Sequence, residues 1–160
     1  MLFRSLSVDV GQGEPYRFCC RQLINSAGLG AQAVAARIEG YHQERIPTLH
    51  LCKGDYFTLS GANPFRHLIY PVPDPSGAGL GVHATIDLGG QVKFGPDVEY
   101  IDSISYQVDP AKADSFYQAV CRYYPDVKPE ALMPGYAGIR PKLQGPGDPV
   151  RDFMIETEAD

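Results

Sequence analysis

A chain of 160 residues, 44% apolar and 21% charged, has the composition of an ordinary folded domain and can bury about 70% of its unfolded surface. Its formal net charge of −5 argues against a nucleic-acid partner, which a basic patch would normally signal. No apolar run approaches the roughly 20 residues that cross a bilayer, the first residues show no secretory signal pattern, and the four cysteines, read as reduced thiols, lead to the expectation of a cytoplasmic protein.

The four cysteines (Cys19, Cys20, Cys52 and Cys121) form no CxxC pair and no Cys–His cluster. That pattern argues against a zinc site and against a disulfide framework. The seventeen glycines and fourteen prolines are spread between apolar runs as turn signals rather than gathered into a low-complexity tract.

In chain order, residues 16–28 (YRFCCRQLINSAG) hold a β-like run that ends in a turn of small residues. Residues 28–41 then read as a helix, with Leu29, Ala33, Ala36 and Ile38 near the 3.6-residue period and Gly40 as the stop. A strand, a Ser-Ala-Gly-Leu-Gly turn and a helix can present backbone N–H groups to a phosphate. The same small residues also serve close strand–helix packing, so both readings stand at this point.

The middle of the chain is strand-rich. Residues 48–61 alternate, with a bulge or bend expected at Lys53–Gly54. HLIYPV (67–72) reads as a further strand, and 80–88 and 91–96 as a hairpin closed by Gly89–Gly90. Alternation sets Leu80, Val82, Ala84 and Ile86 on one face and Gly81, His83, Thr85 and Asp87 on the other. His83 therefore faces solvent or a cleft. Residues 109–127 predict a helix with Asp109 as N-cap, Pro110 at the first position and Phe116, Val120, Tyr123 and Tyr124 as its apolar stripe. Residues 132–143 and 152–156 read as extended. The order β-α-β-β-β-β-α-β-β implies an α+β fold with a mainly antiparallel sheet flanked by helices.

Three features offer chemistry, and each has a plain structural alternative. His83 is either a hydrogen-bonded strand histidine or a proton acceptor in a pocket. Arg140, in GYAGIRPKL, either clamps a carboxylate through its planar fork or makes a surface pair. The SAGLG turn either presents backbone N–H groups to a phosphate or serves close strand–helix packing. Tyr56, Tyr70, Tyr100 and Tyr136 can line a pocket or pack on the sheet. No metal-ligand spacing and no Walker-type loop is present.

Taken together, INSAGLGAQAVA, CKGDYFTL, LIYPVPDP, LGVHATIDLGGQVKFGPD, GYAGIRPKL and DFMIE resemble, in order and spacing, the FAD-dependent oxidoreductases of the D-amino-acid oxidase superfamily. Within it they are most similar to the L-2-hydroxyglutarate dehydrogenase and oxidase branch, over residues 16 to 156. The resemblance implies FAD as cofactor, approached by the backbone of Ala27 and Gly28. It implies that His83 stands in the substrate pocket, that Arg140 binds the substrate carboxylate, and that Lys53, Gly54 and Tyr70 border the cavity. The implied reaction is hydride transfer to flavin from a small 2-hydroxy acid, L-2-hydroxyglutarate going to 2-oxoglutarate, with oxygen or a quinone as electron acceptor. A glycine- or sarcosine-type amine oxidase is the enzymatic alternative, and an inert truncated piece or α+β binding module the non-enzymatic one.

Such enzymes open with a strand–helix unit carrying GxGxxG and a ribose-binding acid. Here VGQGEP is too short for that motif and lacks the helix that follows it. The expectation is an internal piece of a longer enzyme, peripheral at the inner membrane if membrane-bound at all. Residues 1–44 would close the first FAD-binding segment, 45–136 would form the substrate domain, and 137–160 would return to the FAD-binding domain.

Overall fold

The computed structural model describes residues 20, 22–72 and 81–157. They fall into two compact units, one within Met1–Ile46 and the other within Pro47–Asp160.

In the first unit, residues 22–27 carry no strand, and 16–19 and 21 lie outside the described residues. Gly28–Gly30 form a 3-10 turn that leads into α1, Ala31–Ala35. The helix expected to residue 41 is thus only five residues long. Its start holds two glycines and no side-chain cap, and after Ala36 the N–H groups bond back three residues, Arg37 to Val34 and Ile38 to Ala35. A helix this short gains little from cooperative propagation. Gly40, at φ 83°, ends the turn as expected.

In the second unit, the alternation of residues 48–61 becomes β1, His50–Leu59. The hairpin becomes β2, His83–Ile86, and β3, Val92–Gly95. Asp87 ties its turn by accepting from Gly89 N (2.9 Å) and Gln91 N (3.0 Å). A short β4, Glu99–Ile101, was not foreseen, and α2 spans Ala113–Cys121. β5 runs from Leu132 to Lys142. Every pairing is antiparallel: β1 takes β5 along one edge, and β3 and β4 in succession along the other. The α+β expectation holds, with a five-stranded sheet.

Three local expectations change. HLIYPV contributes one bridge, Ile69 to Ala84, because Pro71 offers no N–H to continue a ladder. Residues 152–156 form no strand. The sheet irregularity lies beyond Lys53–Gly54: Gly135 and Tyr136 of β5 together oppose Tyr56 of β1. Gly54 has a different reason to be glycine, since a Cβ there would lie 2.6 Å from Pro96 Cβ. Gly54→Ala is expected to destabilise the protein by about 1–3 kcal/mol, because the Pro96 ring cannot swing aside; the midpoint of a urea titration checks it.

One sheet face forms the core. Phe57, Leu59, Ala84, Val92, Phe94 and Leu132 meet Phe116 and Val120 of α2, with Phe57 and Phe116 rings 4.5 Å apart. Asp109 fixes the approach to α2 by accepting from Ala111 N at 2.9 Å, with Pro110 in the 3-10 turn that precedes it. α2 therefore covers this face and leaves the other to different chemistry.

Candidate functional site

Register decides which side chains share the second face. Cys52 pairs with Arg140 and Gly54 with Gly138, Thr58 with Lys93, and Lys93 with Thr85 while His83 pairs with Gly95. Because side chains alternate along a strand, His83, Thr85, Lys93, Thr58, Tyr56, Tyr136, Gly138 and Arg140 all stand opposite the core. This polar and aromatic face unites His83 and Arg140, which lie on strands that are not neighbours.

The face has a connected floor. The Tyr56 and Tyr136 rings stack at 4.5 Å and 10°. Gly95, at φ 138°, permits this, since a Cβ there would come within 2.8 Å of the Tyr56 ring. Lys93 Nζ lies 5.5 Å from the Tyr136 ring centroid and 3.0 Å from Asp87. Burial and then the neighbouring Tyr136 push the Tyr56 hydroxyl above its ordinary range, and the positive charge of Arg140 opposes them. Nothing lies within 4 Å of where a Gly138 Cβ would be, so the face is open at that position between Tyr136 and Arg140.

His83 is buried, at 8% exposure, rather than turned to solvent. The Tyr70 ring covers it at 4.4 Å and 50°. Arg140 is exposed, and its guanidinium donates to the buried Cys52 Sγ at 3.6 Å, which leaves most of its donors available. Gly54 shares the face but lies beneath Pro96. Lys53 is not brought here: alternation puts it on the opposite face with Asp55 and Phe57. There its ammonium lies 3.1 Å from Asp55 Oδ1 and donates to the Gln107 carbonyl. Lys93 escaped the sequence reading, although counting across the Gly89–Gly90 turn would have set it beside His83.

Ala27 and Gly28 belong to the first unit and are exposed, with Gly28 at φ 56° and open space along its Cβ direction. Asn25 braces the turn, accepting from Ala27 N at 3.3 Å and donating to Ala31 O at 2.8 Å. Such a turn fits the close approach of a planar ring to backbone. Among the described residues, Gly28–Ala33 lead into α1 without the preceding strand that a dinucleotide-binding turn uses. Among the described residues no three His, Cys, Asp or Glu side chains gather to hold a metal, and no helix is long and apolar enough to cross a membrane.

Residues 4–158 match the family described as FAD dependent oxidoreductase, and the chain belongs to that family. Its similarity extends to particular members. It is 49% identical, over 148 residues, to the mitochondrial L-2-hydroxyglutarate dehydrogenase of Arabidopsis thaliana, covering 85% of this chain and 30% of the relative. The L-2-hydroxyglutarate dehydrogenase of Indibacter alkaliphilus is 37% identical over 84 residues, 50% of this chain and 20% of that protein. The mitochondrial enzyme of the same name from Caenorhabditis elegans is 28% identical over 179 aligned positions, 88% of this chain and 40% of that protein. The chain thus spans less than half the length of each of these relatives.

Proposed function

We propose that this chain is the substrate-facing part of an FAD-dependent enzyme that oxidises a small 2-hydroxy acid, L-2-hydroxyglutarate to 2-oxoglutarate. The observation that carries the reading is the shared face of His83 and Arg140, where strand register sets a buried imidazole and an exposed guanidinium on the same side of the sheet as one aromatic floor. Residues 45–136 are assigned to the substrate domain and 1–44 and 137–160 to the FAD-binding part, with β5 carrying the sheet on to Lys142 and so bringing Arg140 onto the shared face.

Arg140 binds the C1 carboxylate through two parallel N–H donors and so fixes the orientation of C2. His83 takes the proton of the C2 hydroxyl as the alcohol becomes a ketone. Tyr70 screens the imidazole from water. Bound FAD would supply the acceptor for the C2 hydride, and the backbone of Ala27–Gly28 is the part of this chain that would hold it.

The test is steady-state turnover by the FAD-loaded protein at its full length. L-2-hydroxyglutarate should be consumed with 2-oxoglutarate formed and no ammonia or amine released. Turnover of glycine or sarcosine instead, with that release, would overturn the reading in favour of an amine oxidase. Arg140→Lys is expected to raise KM for the hydroxy acid by roughly tenfold to hundredfold and to lower kcat. A point ammonium loses one of two charge-assisted bonds and the planar fork that orients C2. Unchanged KM and kcat in that variant would remove Arg140 from the site.

A further inference from the structure

The substrate proposed above is a dicarboxylate, and one guanidinium accounts for only one of its carboxylates. A carboxylate removed from water needs a partner of opposite charge or good hydrogen bonds. The lysines on and against the sheet strands differ in the face they occupy. Lys53 and Lys112 lie among Asp55, Asp97 and Glu99 on the core side. Lys142 shares the face of Arg140 but stands beyond it, away from His83, with its ammonium 5.7 Å from the Tyr100 ring. Lys93 remains.

Its position is set by the ladder. His83 pairs with Gly95 and Thr85 with Lys93, so Lys93 is a diagonal neighbour of His83, about 7–8 Å away by Cα. Arg140 lies four residues along β5 from Tyr136, roughly 13 Å, and the ring of Tyr136 sits under the Lys93 ammonium. Arg140 and Lys93 thus bracket the Tyr56–Tyr136 stack from opposite ends, with His83 beside the second. The geometry points to Lys93 as the group that receives the distal carboxylate of a 2-hydroxydicarboxylic acid, selecting it over monocarboxylic 2-hydroxy acids. This assignment rests on the functional reading above.

Asp87 is the built-in competitor. It pairs with Lys93 at 3.0 Å and is itself fixed by the N–H groups of Gly89 and Gln91. An ammonium has three donors, so Lys93 can hold Asp87 and a substrate carboxylate together. The aspartate then weakens the attraction for a second anion, and removing its charge should strengthen dicarboxylate binding.

The experiment uses the FAD-loaded full-length protein with L-2-hydroxyglutarate and L-2-hydroxybutyrate, alongside binding of glutarate and butyrate followed by flavin absorbance. In Lys93→Met, KM for the dicarboxylate and Kd for glutarate should rise roughly tenfold to hundredfold. The monocarboxylate constants should change by far less. Lys93→Arg should restore most of the loss, and Asp87→Asn, which keeps an oxygen for the turn, should tighten glutarate binding. Lys128→Met removes the same charge at an exposed position and should move neither ligand. Equal losses for both ligand classes, or none, in Lys93→Met would overturn the inference while leaving the hydroxy-acid reading intact. A wild-type protein that oxidises neither hydroxy acid would overturn both.

Discussion

Replacing His83 with glutamine is expected to lower kcat for the 2-hydroxy acid by roughly 10²- to 10⁴-fold, the usual worth of a positioned proton acceptor, with KM moving only a few fold. Glutamine preserves length and hydrogen bonding but cannot take up the hydroxyl proton. The other titratable groups on this face are poorly placed to substitute. Burial and Tyr136 hold the Tyr56 hydroxyl protonated. The hydrogen bond from Lys93 holds the Asp87 carboxyl below its ordinary range and makes it a weak base. The same pair raises Lys93 and keeps it charged. Single-turnover flavin bleaching separates this effect from product release. A variant that reduces its flavin at near wild-type rate would return His83 to a packing role beneath Tyr70.

The parts of the fold that were readable in the sequence are those set by short-range chemistry. The hairpin around Gly89–Gly90 follows from a turn that only Asp87 and glycine satisfy well, and α2 follows from Asp109–Pro110 and the spacing of Phe116 and Val120. What was not readable depends on partners distant in sequence. β4 is three residues long and exists because Leu51, Cys52 and Lys53 offer it an edge. Lys53 was expected in the cavity, yet its alternation partners are Asp55 and Phe57. On that face the Lys53 ammonium pairs with Asp55 and donates to the Gln107 carbonyl, 54 residues away. The irregularity fell at Gly135–Tyr136 rather than at Gly54, because a bulge is a property of two strands in register and not of one glycine. Strand pairing through β1 likewise set His83 and Arg140 on one face, where alternation alone could give each only a parity.

Asp55→Ala is expected to cost about 3–5 kcal/mol, since it leaves a buried ammonium without its counter-ion. Asp55 is fully buried, 2.7 Å from Lys112 Nζ and 3.1 Å from Lys53 Nζ, and its N–H donates to Asp97 Oδ1 at 2.7 Å. Lys112 also reaches Asp97 at 2.8 Å and Glu99 at 2.5 Å, so one cluster ties β1, the β3–β4 connection and the approach to α2. Burial pulls the Lys112 ammonium down, but the three carboxylates outweigh it and hold it well above the usual lysine range. A raised lysine contributes fully below its unfolded value, near 10.4, and the contribution is lost as pH rises through the folded one. The stability gap between wild type and Lys112→Met should therefore stay constant from about pH 7 to 9 and narrow only above roughly pH 10.4. Urea titrations of both variants across that range check the magnitude and the sign. An Asp55→Leu, Lys53→Met pair should recover much of the Asp55→Ala loss, because an apolar pair of similar volume needs no desolvated charge. The cluster lies on the face opposite His83 and Arg140, so Asp55→Ala protein that remains folded should keep its KM. A raised KM with unchanged unfolding would mean that the cluster positions the β3 edge carrying Lys93 rather than holding the fold.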